Sequence, residues 1–105
     1  MDFDINKMQQ MLSQAKQMQE QMSDNLAATI VEADSGGGAV TVRMNGNKQL
    51  LKLTIAPSAA SAAASDMALL EDLIVAAINS AQSKAEAAQQ SSTSNLLGNL
   101  NLPGL

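Results

Sequence analysis

From residue 4 to about residue 28 the apolar positions recur at helical spacing. Ile5, Met8, Met11, Leu12, Ala15, Met18, Met22 and Leu26 fall on one side, and Gln, Lys and Glu fill most of the rest. The fillers are good helix formers. Asp2, Asp4 and Asn6 are each able to cap the start, where early carboxylates suit the positive end of the helix dipole. A stripe such as "MQQMLSQAKQMQEQM" has to rest against something. Methionine is an adaptable filler, so the first reading is packing inside the chain's own core, and the other is a face for a partner.

The period then changes from helical to two. Val40, Val42 and Met44 alternate with Thr41, Arg43 and Asn45, and Leu51, Leu53 and Ile55 alternate with Lys52 and Thr54. Between them, Asn45-Gly46-Asn47 predicts a tight two-residue hairpin turn, at either Asn45-Gly46 or Gly46-Asn47. Both registers pair Val40 and Val42 with odd-numbered residues, so the apolar faces coincide. An earlier strand, roughly residues 27–34, joins through "SGGG" as a meander, and Pro57 closes the sheet region.

"SAASAAASD" is an alanine-serine bridge, helical by propensity but with little to bury. A second long helix is predicted from Asp66, with Ser65 or Asp66 as its cap. Met67, Leu70, Leu73, Ile74, Ala77, Ile78, Ala81, Ala85 and Ala88 share one of its faces. The end, "SSTSNLLGNLNLPGL", reads as a loose tail with a few leucines. The order is helix, three-stranded antiparallel sheet, helix: an α+β domain over residues 1–92, with a flexible tail over 93–105.

Composition adds a constraint. Of 105 residues 46% are hydrophobic, but only 1% are aromatic, and alanine and methionine carry much of the apolar share. Such a small core gains from being doubled, and the uncovered strand edge points the same way, so a homodimer is expected. No cysteine and no histidine are present. That removes thiol nucleophiles, thiolate metal sites and the commonest general base, so neither an enzyme, a cofactor nor a small-molecule substrate is expected. No apolar run reaches bilayer length and the start has no signal-peptide core, so the chain is expected in the cytoplasm, away from membranes.

Three features suggest chemistry, and two have plainer explanations. The triple glycine at 36–38 lacks the lysine and following helix of a phosphate loop and reads as a turn. Glu71-Asp72 stands alone near a helix start, where it fits dipole compensation better than catalysis. The third feature is the basic set. Lys7 and Lys16 lie on the first helix, Lys84 on the last, Arg43 and Lys52 alternate outward from the strands, and Lys48 belongs to the hairpin. Against these six stand ten acidic residues, a net charge of −4. Binding to a polyanion therefore needs a segregated patch.

In order and spacing, the Met/Gln-rich first helix, "GGGAVTVRMNG", "LTIAPS" and "LLEDLIVAAINSA" resemble the YbaB/EbfC family of bacterial nucleoid-associated proteins. The tail "GNLNLPGL" resembles the family's glycine- and proline-containing end. The resemblance covers nearly the whole chain. It implies a homodimer whose strands form one continuous sheet, with helices projecting like tweezers, that binds double-stranded DNA in the nucleoid with little sequence preference. It makes Lys7, Lys16 and Lys84 the foremost phosphate contacts, with Arg43 and Lys52 beside them. In this chain "NSAQSKAEAAQQ" offers a single lysine where the family's final helix often carries several basic residues. The alternative is an acidic structural or protein-interaction dimer of the same fold with little or no DNA binding.

Overall fold

The computed structural model describes residues 4–99, with side chains through Ser94. Asp2 as a cap, the aromatic Phe3 and the last six residues of the expected tail lie outside them. The elements are α1 (Ile5–Ala28), β1 (Ile30–Ser35), β2 (Val40–Asn45), β3 (Leu50–Ile55), α2 (Pro57–Ala62) and α3 (Met67–Asn99). The strands form one antiparallel sheet in the order β1-β2-β3. The α+β order of helix, three strands and helix is thus as the sequence predicts.

Asp4 caps α1, its carboxylate accepting the Asn6 N–H at 3.1 Å. At the other end the Thr29 N–H donates to the Leu26 carbonyl and its hydroxyl to that of Asn25. The helix therefore holds on through Ala28, and β1 starts three residues later than the sequence suggested. Pro57 takes the first turn of α2, where its missing N–H costs nothing. At α3, Asp66 accepts the Leu69 N–H at 3.1 Å. No acidic residue lies in the first turn of α3, so Glu71 and Asp72 sit beyond the reach of its dipole.

The core is a narrow sandwich of α3 on one face of the sheet. Ala33, Val40, Val42 and Met44 meet Ala77, Ala81 and Ala85, with Leu53, Leu70, Leu73 and Ile74 closing the margins. The three alanines, four residues apart, are wholly buried. Having almost no side chain, they let the helix axis come close to the strands and fill the space by backbone proximity. At the far end Gly36 completes the fit. It adopts φ +63°, and a Cβ there would meet Leu73 Cδ2 at 3.0 Å. The Ser35 hydroxyl donates to the Leu73 carbonyl alongside it.

The hairpin departs from expectation in its turn and agrees in its faces. Asn45 N–H donates to the Gln49 carbonyl and Lys48 N–H to that of Asn45, a three-residue loop with Lys48 at φ 64°. By itself that loop would oppose Val42 to Lys52 and turn the strand's apolar side to solvent. A bulge at Leu51 restores the parity: Met44 faces Leu50, yet Val42 faces Leu53 and Val40 faces Ile55. Buried Asn45 holds the loop, its side-chain Oδ1 accepting from the N–H groups of Asn47 and Gln49 while its side-chain amide donates to Gln49 Oε1.

The same loop fastens the end of α1. Gly46 N–H donates to the Leu26 and Thr29 carbonyls at 2.8 and 2.9 Å, and the Asn47 amide donates to the Ser23 carbonyl. Elsewhere α1 is free. Every residue from Asp4 to Gln21 is exposed, a helical length of about 27 Å at 1.5 Å per residue. This overturns the first reading of the methionine stripe. Met11 and Leu12 are 69% exposed and Met18 46%, and of the stripe only Met22 is half-buried and Leu26 buried. The sheet offers one apolar face, and α3 already covers it.

The helix α3 also runs seven residues into the segment expected to be a loose tail. Within it the Thr93 hydroxyl donates to the Gln89 carbonyl one turn back, a local bond that lets such residues sit in a helix. The molecule is long, 73 × 28 × 19 Å, and no described helix is long and apolar enough to cross a membrane.

Candidate nucleic-acid interface

The basic residues divide into two groups. Lys7 and Lys16 stand on the projecting part of α1, exposed and without an ion pair among the described residues. Nine residues is two and a half helical turns, so they lie on opposite sides of the helix, about 13 Å apart along its axis. By the same arithmetic each flanks the methionine stripe. The glutamines at 9, 10, 14, 17 and 21 occupy the far side, together with Glu20 and Asp24.

The second group gathers on the uncovered face and edge of the sheet. Glu32 on β1 faces Arg43 on β2, which in turn faces Lys52 on β3. Arg43 Nε and Nη2 both donate to Glu32 Oε1, at 2.9 and 2.6 Å. Lys84 reaches from α3 to the same residue and donates to the Glu32 main-chain carbonyl at 2.6 Å. Together with Thr41 and Thr54, the row forms a shallow cleft. Lys52 is its one cation without an ion pair among the described residues.

Lys48 is also engaged. Its ammonium donates to Glu86 Oε1 at 2.7 Å, bracing the hairpin against α3. The hydrogen bond from Lys48, and then its charge, hold the Glu86 carboxyl below its ordinary range. The pair is exposed, so it contributes little to stability.

Of the five residues expected to meet DNA, Arg43, Lys52 and Lys84 are thus brought together around Glu32, while Lys7 and Lys16 stand apart on α1. The sequence reading missed Glu32 as the node and Glu86 as a partner. Glu32 was within reach, because a meander through "SGGG" sets it opposite Arg43, and opposite charges pair well across strands. The Lys84 contact spans 52 residues and leaves no local signal.

The chain has close relatives. It is 65% identical over 100 residues to a nucleoid-associated protein of Acidobacterium capsulatum, covering 92% of this chain and 93% of that one. To a nucleoid-associated protein of Koribacter versatilis it is 40% identical, with 97% and 96% covered. Its fold matches the crystal structure of an uncharacterized protein from Helicobacter pylori at TM-score 0.73 and 25% identity, over 91% of this chain and 99% of that one. Residues 5–100, a span that takes in the projecting helix, the sheet and α3, match the YbaB/EbfC DNA-binding family, and the chain belongs to it.

Proposed function

We propose that the protein binds double-stranded DNA as a homodimer in the bacterial nucleoid, with little sequence preference. The observation that carries this reading is the projecting α1, which holds two cations clear of the body and of every described carboxylate partner. Lysines and glutamines on such an arm are suited to phosphate oxygens, which position a protein without reading sequence. Membership of the family and the likeness to nucleoid-associated proteins support it.

Surface area supports the dimer. A compact monomer of this mass exposes about 5,600 Å². This chain exposes 7720 Å², an excess of about 2,000 Å², comparable with the roughly 1,000–2,500 Å² that each partner loses in an obligate homodimer. The bare methionine stripe is part of that excess.

One observation favours the second reading, an acidic interaction dimer. Arg43, Lys48 and Lys84 are occupied by the chain's own oxygen atoms. Only Lys7, Lys16 and Lys52 are left for phosphates, six per dimer against twenty acidic residues. Titrating several duplexes of unrelated sequence at low salt separates the two. The DNA reading expects binding to all of them with affinities within a few-fold of one another. A stable dimer that binds none of them at low salt means the interaction reading is the right one.

A further inference from the structure

We propose that Glu32 is an internal competitor for phosphate, which holds Arg43 back from DNA and so keeps the protein's affinity low. This rests on the DNA-binding reading above and adds to it a residue that restrains binding. The chain as a whole has a net charge of −4, but around Glu32 the balance is reversed. Arg43 and Lys52 face each other across β2 and β3, and Lys84 arrives from α3. Three cations therefore gather where β1 contributes Glu32 and Asp34.

Like charges set directly opposite across two strands repel, so the Arg43–Lys52 pair costs the sheet stability. What the pair suits is an anion. The two cations and the hydroxyls of Thr41 and Thr54 line one shallow, open cleft, and all four can donate to a phosphate oxygen. Glu32 stands in for that anion. Arg43 Nε and Nη2 both donate to its Oε1, at 2.9 and 2.6 Å. The guanidinium edge that would take two phosphate oxygens thus closes on a single carboxylate oxygen.

The contact is open to exchange. The two side chains are 52% and 53% exposed, so their pairing does little for stability. Strand register nevertheless keeps the carboxylate beside Arg43, and a phosphate from solution has to displace it and approach its charge. Lys84 is held differently, by the main-chain carbonyl of residue 32, which a substitution there retains. Asp34 stays opposite Thr41, one row along the same face. Removing the Glu32 charge therefore releases Arg43 alone, to act beside Lys52.

Glu32→Gln keeps the length of the side chain and drops its charge. The test titrates duplexes of unrelated sequence with the native protein, this variant and Glu71→Gln. The last removes the same charge from an exposed position on α3 that has no ion pair among the described residues. Glu32→Gln should bind about tenfold more tightly at low salt and steepen the salt slope by about 1.8, one further phosphate per chain of the dimer. Glu71→Gln should leave the slope as it is. Glu32→Gln/Arg43→Gln, which has the native net charge, should return to the native slope, because the gain belongs to the pair. All the variants should melt with the native protein. Equal gains from Glu32→Gln and Glu71→Gln would make net charge the cause and overturn the proposal, as would a gain that survives loss of Arg43. A native protein that binds, with Glu32→Gln no tighter, removes the competitor and leaves the DNA reading standing. Binding by Glu32→Gln alone keeps the competitor and leaves the native chain to the interaction reading. Binding by none of them at low salt removes both proposals.

Discussion

Replacing Ala81 by leucine is expected to destabilise the protein by about 3 kcal/mol, the upper part of the range for overpacking a filled core. For a domain of this size that lowers the melting temperature by more than 10 °C. The reason is specific to the fold. Ala81 is wholly buried between Ala77 and Ala85, where α3 lies against the sheet, and three more carbon atoms have no space to enter. Leucine is nearly as good a helix former as alanine, so the loss does not come from α3 itself. The control is Ala76→Leu on the exposed side of the same helix, which should melt within about 0.5 kcal/mol of the native protein. Both melts are taken at one protein concentration, since a dimer's stability depends on it. Equal melting of the two variants would contradict the close approach of helix and sheet.

Gly46→Ala is the second large effect. A Cβ there would lie 2.9 Å from the Leu26 carbonyl oxygen and 2.9 Å from its Cδ2. The side chain can turn, but the main chain cannot yield without pulling the end of α1 off the hairpin. The bonds from Gly46 N–H to Leu26 and Thr29 then lengthen together. A loss of about 2 kcal/mol is expected, on the order of 10 °C in melting temperature. The signature that marks the mechanism is local. Amide exchange over residues 23–29 should quicken more than in the α3–sheet core. Uniform quickening through the core would mean that Gly46 matters for some other reason.

These two positions also show what could be read in the sequence. The alternation on either side of the hairpin gave the correct faces, because burial of one side of a strand enforces parity whatever the turn does. The turn itself was misread. Asn45-Gly46 looks like a tight two-residue turn, whereas Gly46 is needed for the approach of α1, and Lys48 carries the positive φ. The compensating bulge at Leu51 has no residue signature. The alanines at 77, 81 and 85 were placed on the right face, but their small area concealed that they form the tightest part of the core. For the methionine stripe, periodicity established that α1 has an apolar side and said nothing about whose atoms cover it.

The candidate site was legible to a similar depth. Counting cations and assigning them to elements needs only local pattern, and Lys7, Lys16, Lys52, Arg43 and Lys84 stand on the elements expected. Which of them are available depends on contacts across the fold. Lys84 meets Glu32 and Lys48 meets Glu86, each across dozens of residues. Those two contacts, with the cross-strand pairing of Arg43 to Glu32, turn six basic residues into three that are open to a phosphate.

The salt dependence of duplex DNA binding tests that count most directly. Each phosphate neutralised contributes about 0.9 to the slope of log affinity against log salt, so the six open lysines of the proposed dimer give a slope no steeper than about −5.4. Lys7→Glu/Lys16→Glu should weaken binding to every duplex and flatten the slope to about −2, the share left to Lys52 on both chains. A slope left unchanged by that double variant would contradict the account, because the phosphate contacts would then lie somewhere other than on α1.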